Sequence, residues 1–109
     1  MRRVRTYSRA TEHATATLGA LIAAARRERR MSVAEVCERV GIDPGTLRSV
    51  ERGAPTVAIG MVFEVATVLG VPLFSVPAEE LPALAARAAD RLALLPQRVR
   101  ATVQVDDDF

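Results

Sequence analysis

A stretch between residues 32 and 53 contains the start and stop signals of two short helices in succession. Ser32 is a good N-cap, and a glutamate three residues later completes a capping box. Gly41 is typical of the left-handed residue that ends a helix. Asp43 and Pro44 then supply a second N-cap and a first helical residue that needs no backbone N–H, before Gly53 ends the second helix. The chain is therefore predicted to form two short helices joined by a tight turn.

Apolar residues recur every three or four positions on both sides of this segment, which predicts three more helices. The first begins near Thr17, the fourth spans about Ala58–Leu69, and the fifth about Glu79–Leu95. The inward-facing sets are Leu18, Leu21, Ile22 and Ala25; Val33, Val36, Cys37 and Val40; Ile42, Leu47 and Val50; Ile59, Val62, Phe63, Ala66 and Leu69; and Leu81, Leu84, Ala85, Ala88, Leu92 and Leu95. A chain of 109 residues is long enough to bury one core. The predicted fold class is all-α with five helices.

The two ends of the chain depart from this helical pattern. Valines alternate with polar residues from Val99 to Val105, which predicts a short strand whose pairing edge a second copy of the chain would supply. We expect a flexible basic arm (1–16), a helical domain (17–76), a C-terminal helix (77–96) and an extended strand with an acidic tail (97–109).

Charge is distributed unevenly along the chain. Residues 1–30 hold eight arginines against two glutamates, whereas residues 31–109 hold seven arginines against eleven acidic residues. A basic front part suits contact with phosphates, although arginine-rich arms are also often simply solvated.

Several function classes are disfavoured by composition. A single cysteine and a single histidine leave no internal disulfide and too few ligands for zinc, so no metal or other cofactor is expected. We see no Gly-rich phosphate loop and no nucleophile–base pair, so the chain is not expected to be an enzyme. Cys37 is interpreted as a core residue and His13 as lacking a partner. No apolar run is long enough to cross a bilayer and no secretory signal is recognisable, so we expect a cytoplasmic protein.

Residues Met31–Gly53 resemble the helix-turn-helix of the XRE, or Cro/lambda-repressor, family. The matching features are Ala34-Glu35-Val36, the mid-turn Gly41, Thr46-Leu47 and Val50-Glu51-Arg52-Gly53, and the similarity extends from about Leu18 to Phe74. The resemblance implies a lambda-repressor-like fold whose third helix, the recognition helix, lies in the major groove of double-stranded DNA.

The resemblance also implies a set of DNA-contacting residues: Arg27, Ser32, Val33, Asp43, Pro44, Gly45, Thr46, Arg48, Ser49 and Arg52. Arg48, Ser49 and Thr46 are the candidate base readers, because Pro44 and Gly45 have no side-chain donor or acceptor for a base edge. Arg27 and Arg52 are either phosphate contacts or surface charges, and Ser32 either presents a helix N-terminus to a phosphate or only caps it. Val33 replaces the glutamine usual in the family.

Two further sets of residues follow from the family pattern. Arg26 and Glu51 occupy the positions of a structural ion pair between the first and third helices. Beyond the motif, the chain resembles HipB-type antitoxins, in which a C-terminal strand joins two subunits and the dimer binds a HipA-type kinase toxin. The residues implied as dimer or partner contacts are Val99, Val103, Val105, Asp106, Asp107, Asp108 and Phe109. The three aspartates are either solvated or form a docking tail.

The expected function is therefore a sequence-specific transcriptional regulator that binds a palindromic operator as a homodimer. Autorepression and an antitoxin role with a HipA-like kinase are implied by the HipB-type resemblance. The alternatives are a stand-alone repressor of the XRE family with no toxin partner, or a module that acts mainly through protein–protein contact.

Overall fold

The structure, a computed structural model, describes residues 6–101 and contains five α-helices in that range. The helices are α1 (Arg9–Glu28), α2 (Val33–Val40), α3 (Pro44–Arg52), α4 (Ile59–Val68) and α5 (Leu81–Ala93), with one turn of 3₁₀ helix at Ala78–Glu80. The described part of the chain has no β-strand, only an isolated antiparallel bridge between Leu73 and Val76. The predicted all-α class with five helices is confirmed.

Residues 6–78 form one compact unit built around a single apolar core. Helices α1 to α4 each contribute to it, and the loop after α4 closes it with Val71 and Leu73. The buried residues are Ile22, Val36, Cys37, Leu47, Val50, Val65, Ala66, Leu69, Val71 and Leu73. Aliphatic side chains therefore fill most of the space between the short helices, and the half-buried Phe63 packs against them.

Helix α1 begins at Arg9, so the prediction that it starts near Thr17 was wrong. Ser8 caps the helix, since its hydroxyl oxygen accepts a hydrogen bond of 3.3 Å from the backbone N–H of Thr11. The added turns are mostly exposed and therefore carry no apolar period that a sequence pattern could reveal. The predicted arm thus includes residues of a helix, and its first five residues lie outside the described range.

In helices α1 to α4, two predicted core residues are on the surface. Leu21 is 52 % exposed and Ile59 is 69 % exposed. In α1 the buried stripe follows Leu18 and Ile22, which leaves Leu21 at its edge. In α4 nearly every residue is apolar, so the pattern does not define a single face, and the fully buried Val65 was missed.

Residues 79–101 belong to a second compact unit, which contains α5. The helix is shorter by two residues at each end than predicted, because Ala78–Glu80 adopt 3₁₀ geometry and Leu94 is its C-cap. None of its residues is buried, and of its predicted apolar face only Leu81 and Leu84 are half-buried.

The predicted C-terminal strand is not formed in the described residues. Val99 is 95 % exposed, and residues 99–101 have no strand conformation. The other predicted contact residues, Val103, Val105, Asp106, Asp107, Asp108 and Phe109, lie outside the described residues.

Within residues 6–101, no helix combines the length and the apolar character that crossing a bilayer would require.

Candidate nucleic-acid interface

The turn between α2 and α3 is built from local hydrogen bonds that the sequence predicted. At the start of α2 the Ser32 hydroxyl accepts from the backbone N–H of Glu35 at 3.1 Å, and the Glu35 carboxylate accepts from the Ser32 N–H at 2.7 Å. The bond from the Ser32 backbone N–H, followed by an interaction with the Ser32 side chain, lowers the pKa of the Glu35 carboxyl group. Gly41 ends α2 with φ of 87°, a conformation that costs glycine little. The capping box and the glycine turn are confirmed.

Helix α3 presents one face to the core and the other to solvent. Leu47 is fully buried and Val50 is 3 % exposed, so these two side chains hold the inner face of the helix in the core. On the opposite side Gly45, Arg48 and Arg52 are exposed. The bounds Pro44–Arg52 and the buried pair agree with the predictions. The outer face of α3 is thus open to a ligand in the described part of the molecule.

A hydrogen-bonded pair occupies the first turn of α3. Asp43 caps the helix, because its Oδ2 accepts from the Thr46 backbone N–H at 3.1 Å. Its other oxygen, Oδ1, accepts from the Thr46 hydroxyl at 2.6 Å. The hydroxyl bond, followed by the backbone bond, lowers the pKa of Asp43, so the carboxylate is anionic at neutral pH. The hydroxyl of Thr46, which was predicted to read a base, therefore already donates its hydrogen bond to Asp43.

The remaining predicted DNA-contacting residues are distributed over α1, α2 and the end of α3. Arg52 lies along the outer face of α3, where its Nη2 donates to Ser49 Oγ at 3.3 Å. Arg27 is exposed near the end of α1, and Val33 is half-buried at the start of α2, where it packs against the core. Sequence reasoning missed the start of α4: Ala58 and Met61 line an open groove together with Asp43, Gly45, Thr46, Ser49 and Val57.

An ion pair joins α1 to α3, as predicted. Arg26 Nε donates to Glu51 Oε2 at 2.6 Å, and Arg26 Nη2 donates to Oε1 at 3.1 Å. Nη1 also donates to the carbonyl of Met31 at 3.0 Å. Both side chains are 12 % exposed, and the hydrogen bonds to Glu51 raise the pKa of Arg26 further. The two bonds to Glu51 tie the end of the recognition helix to α1, and the bond to Met31 ties α1 to the loop before α2.

Gly19 determines how closely α1 approaches α3, and no sequence signal singled it out. A Cβ at Gly19 would lie 2.5 Å from the Val50 carbonyl oxygen, 2.8 Å from that of Glu51 and 2.9 Å from the Gly53 nitrogen. These are backbone atoms, which cannot rotate away. The prediction that α1 begins near Thr17 placed Gly19 in the first turn, whereas it lies in the helix interior, where a glycine can indicate close backbone approach.

Other chemistry-bearing residues do not form a second site. Cys37 is buried in the core and burial raises its pKa, as expected of a structural thiol. His13 is exposed on α1. Among the described residues, no group of three His, Cys, Asp or Glu side chains is arranged to hold a metal ion.

The fold and the open α3 face together define a helix-turn-helix DNA-binding domain. Residues 22–75 match the model of the helix-turn-helix family, and the chain belongs to that XRE-type family of DNA-binding transcription regulators. The matched range agrees with the similarity predicted from about Leu18 to Phe74, and the match singles out no subtype such as the HipB-type antitoxins. No curated protein and no solved structure matches the chain.

Proposed function

We propose that the protein represses transcription by binding a palindromic operator as a homodimer, with its own gene among its targets. The observation that carries this proposal is that α3 has one buried face and one exposed face. Leu47 and Val50 anchor the helix in the core, while Arg48 and Arg52 project from an uncovered face. A rigid helix with donors on its free side is suited to the major groove, whose base edges carry the sequence information. This role places the protein in the cytoplasm.

Dimerisation is proposed because one recognition helix of this composition has few side chains that can form hydrogen bonds with base edges. Pro44 and Gly45 offer no polar side-chain atom, and the Thr46 hydroxyl proton is donated to Asp43. Two copies on a two-fold symmetric operator would double the number of base contacts, with half-site centres about 34–36 Å apart.

The experiment that tests this function is selection of bound duplexes from a random pool, followed by a salt titration on the selected site. We expect an inverted repeat with half-sites about one helical turn apart. If Arg27 and Arg52 of each subunit neutralise one phosphate apiece, affinity should fall on the order of 100-fold between about 50 and about 200 mM salt. Arg52→Gln should flatten this dependence, whereas Arg87→Gln on α5 serves as the matched control. The absence of any enriched sequence would disprove the proposal.

Arg48→Ala is expected to relax base preference at one position of each half-site. A guanidinium paired with guanine through two hydrogen bonds discriminates by about 1–3 kcal/mol. Because Arg48 is exposed, the helical circular dichroism and the urea midpoint should stay as in the wild type. Affinities for a set of single-base operator variants measure the effect. An unchanged preference profile would remove Arg48 as a reader.

An antitoxin role is the finer part of the proposal. It is supported by α5, where Leu84, Ala88, Leu92 and Leu95 line a shallow groove that no described residue fills, flanked by Arg87 and Arg91. An uncovered leucine surface of this kind suits a protein partner. Co-expression with a kinase encoded beside this gene separates the alternatives: a stable complex that restrains the kinase supports the antitoxin, and independent purification supports a stand-alone repressor.

A further inference from the structure

Asp43 is a negatively charged residue at the N-cap of α3. The other charged residues of the proposed DNA-facing surface, Arg27, Arg48 and Arg52, are cationic. Asp43 is exposed, and among residues 6–101 its carboxylate forms no ion pair. Close to DNA phosphates such a charge opposes binding. Serine and asparagine cap helices about as well as aspartate and without the charge. Capping alone therefore does not require an aspartate at this position.

The carboxylate is held in one orientation and retains accepting capacity. Both of its oxygens bind Thr46, Oδ1 through the hydroxyl and Oδ2 through the backbone N–H. An ionised carboxylate has about four lone-pair sites, and the two bonds from Thr46 do not fill them, although the backbone N–H groups of Asp43 and Gly45 also interact with the carboxylate. Thr46 has donated its only hydroxyl proton, so its own oxygen also offers nothing but lone pairs. The first turn of α3 thus presents a group of side-chain acceptors without a side-chain donor.

The space around this carboxylate is kept open by its neighbours. A Cβ at Gly45 would lie 3.0 Å from Asp43 Oδ2, so a longer side chain there would crowd the carboxylate. Gly45 and Asp43 both line the open groove that continues to the start of α4. A base edge approaching the tip of α3 would therefore meet the Asp43 oxygens directly.

Base chemistry restricts what such an acceptor group can recognise. In the major groove guanine presents two acceptors, and thymine presents an acceptor and a methyl group. Adenine presents an amino donor beside the N7 acceptor, which would repel a second carboxylate oxygen. Cytosine presents its N4 amino donor with no adjacent acceptor of its own, so it is the base that fits best.

We propose that Asp43 is a specificity-determining residue that selects cytosine at one position of each operator half-site by accepting a hydrogen bond from its N4 amino group. This inference rests on the proposed operator-binding function. It adds a reader at the N-cap of α3. It also gives the anion a second effect: repulsion from phosphates weakens binding to every site, and only a site with the cytosine supplies a hydrogen bond that offsets it.

The test compares the base preferences of wild type, Asp43→Asn and Asp43→Ser, selected from the same random duplex pool. Both replacements keep a good N-cap, which circular dichroism and urea unfolding verify. We expect wild type to favour cytosine at one half-site position by roughly 5- to 150-fold. Asp43→Asn should shift that position to adenine, because an amide pairs with adenine N6 and N7, and Asp43→Ser should lose most of the preference.

A charge-matched control separates base reading from general electrostatics. Glu64→Gln removes one exposed negative charge from α4 and should leave the preferred sequence unchanged. If wild type, Asp43→Asn and Asp43→Ser select the same bases and differ only in overall affinity, Asp43 acts only as a helix cap and a negative charge. The inference is then overturned, while the operator-binding function stands. If wild type enriches no sequence, the proposed function fails and the inference fails with it.

Discussion

Arg26→Ala is expected to lower the free energy of unfolding by about 3–5 kcal/mol, because it leaves the Glu51 carboxylate uncompensated in a site that is 12 % exposed. Arg26 supplies two hydrogen bonds to that carboxylate and one to the Met31 carbonyl, and alanine replaces none of them. Urea unfolding followed by circular dichroism measures the loss. The recognition helix should also be held less firmly, so operator affinity is expected to fall under conditions where the variant remains folded.

The double variant Arg26→Met with Glu51→Leu provides the control for this prediction. Removing both charges avoids a lone buried ion, and apolar replacements of buried ion pairs are often close to neutral. We therefore expect the double variant to recover most of the lost stability. A single-variant loss below about 1 kcal/mol, the range typical of surface pairs, would show that the ion pair is effectively solvated.

Gly19→Ala is expected to destabilise the protein by about 2 kcal/mol, although helix propensity alone predicts the opposite sign. Alanine favours a helix interior over glycine by about 0.5–1 kcal/mol. At Gly19, however, the new methyl group would meet two carbonyl oxygens of α3 and the Gly53 nitrogen at 2.5–2.9 Å. Over-packing against atoms that cannot rotate costs about 1–3 kcal/mol and sometimes more. Thermal and urea unfolding of the variant test the sign as well as the size.

Gly60→Ala is the matched control, since it makes the same change in another helix. Nothing lies within 4 Å of a Cβ at Gly60, which is exposed in the first turn of α4. This variant should be as stable as wild type or more stable by up to about 1 kcal/mol. If Gly19→Ala behaves like Gly60→Ala, the close approach of α1 and α3 is not a packing constraint.

The α2–turn–α3 unit could be predicted almost to the residue because its signals are local. Ser32, Gly41 and Asp43 act through hydrogen bonds or dihedral angles within four residues along the chain. The Arg26–Glu51 pair was also anticipated, although only through the family pattern, because the two residues are 25 positions apart.

Other features depended on contacts between distant segments. The sequence could not show that the hydroxyl of Thr46, a predicted base reader, donates a hydrogen bond to Asp43. The groove beside α3 includes Ala58 and Met61, residues whose types carry no chemical signal of their own. The start of α1 was misplaced because an exposed helix has no apolar stripe to mark it.

The amino-acid sequence by itself determined where α2 and α3 begin and end, since caps and turn glycines need only their immediate neighbours. Only the tertiary structure decided that Leu21 and Ile59 face solvent while Val65 is buried. It also decided that α1 and α3 meet at Gly19, which leaves the outer face of the recognition helix free. The physical reason is that burial and close approach depend on which surface a second helix covers, and periodicity within one helix carries no information about its partner.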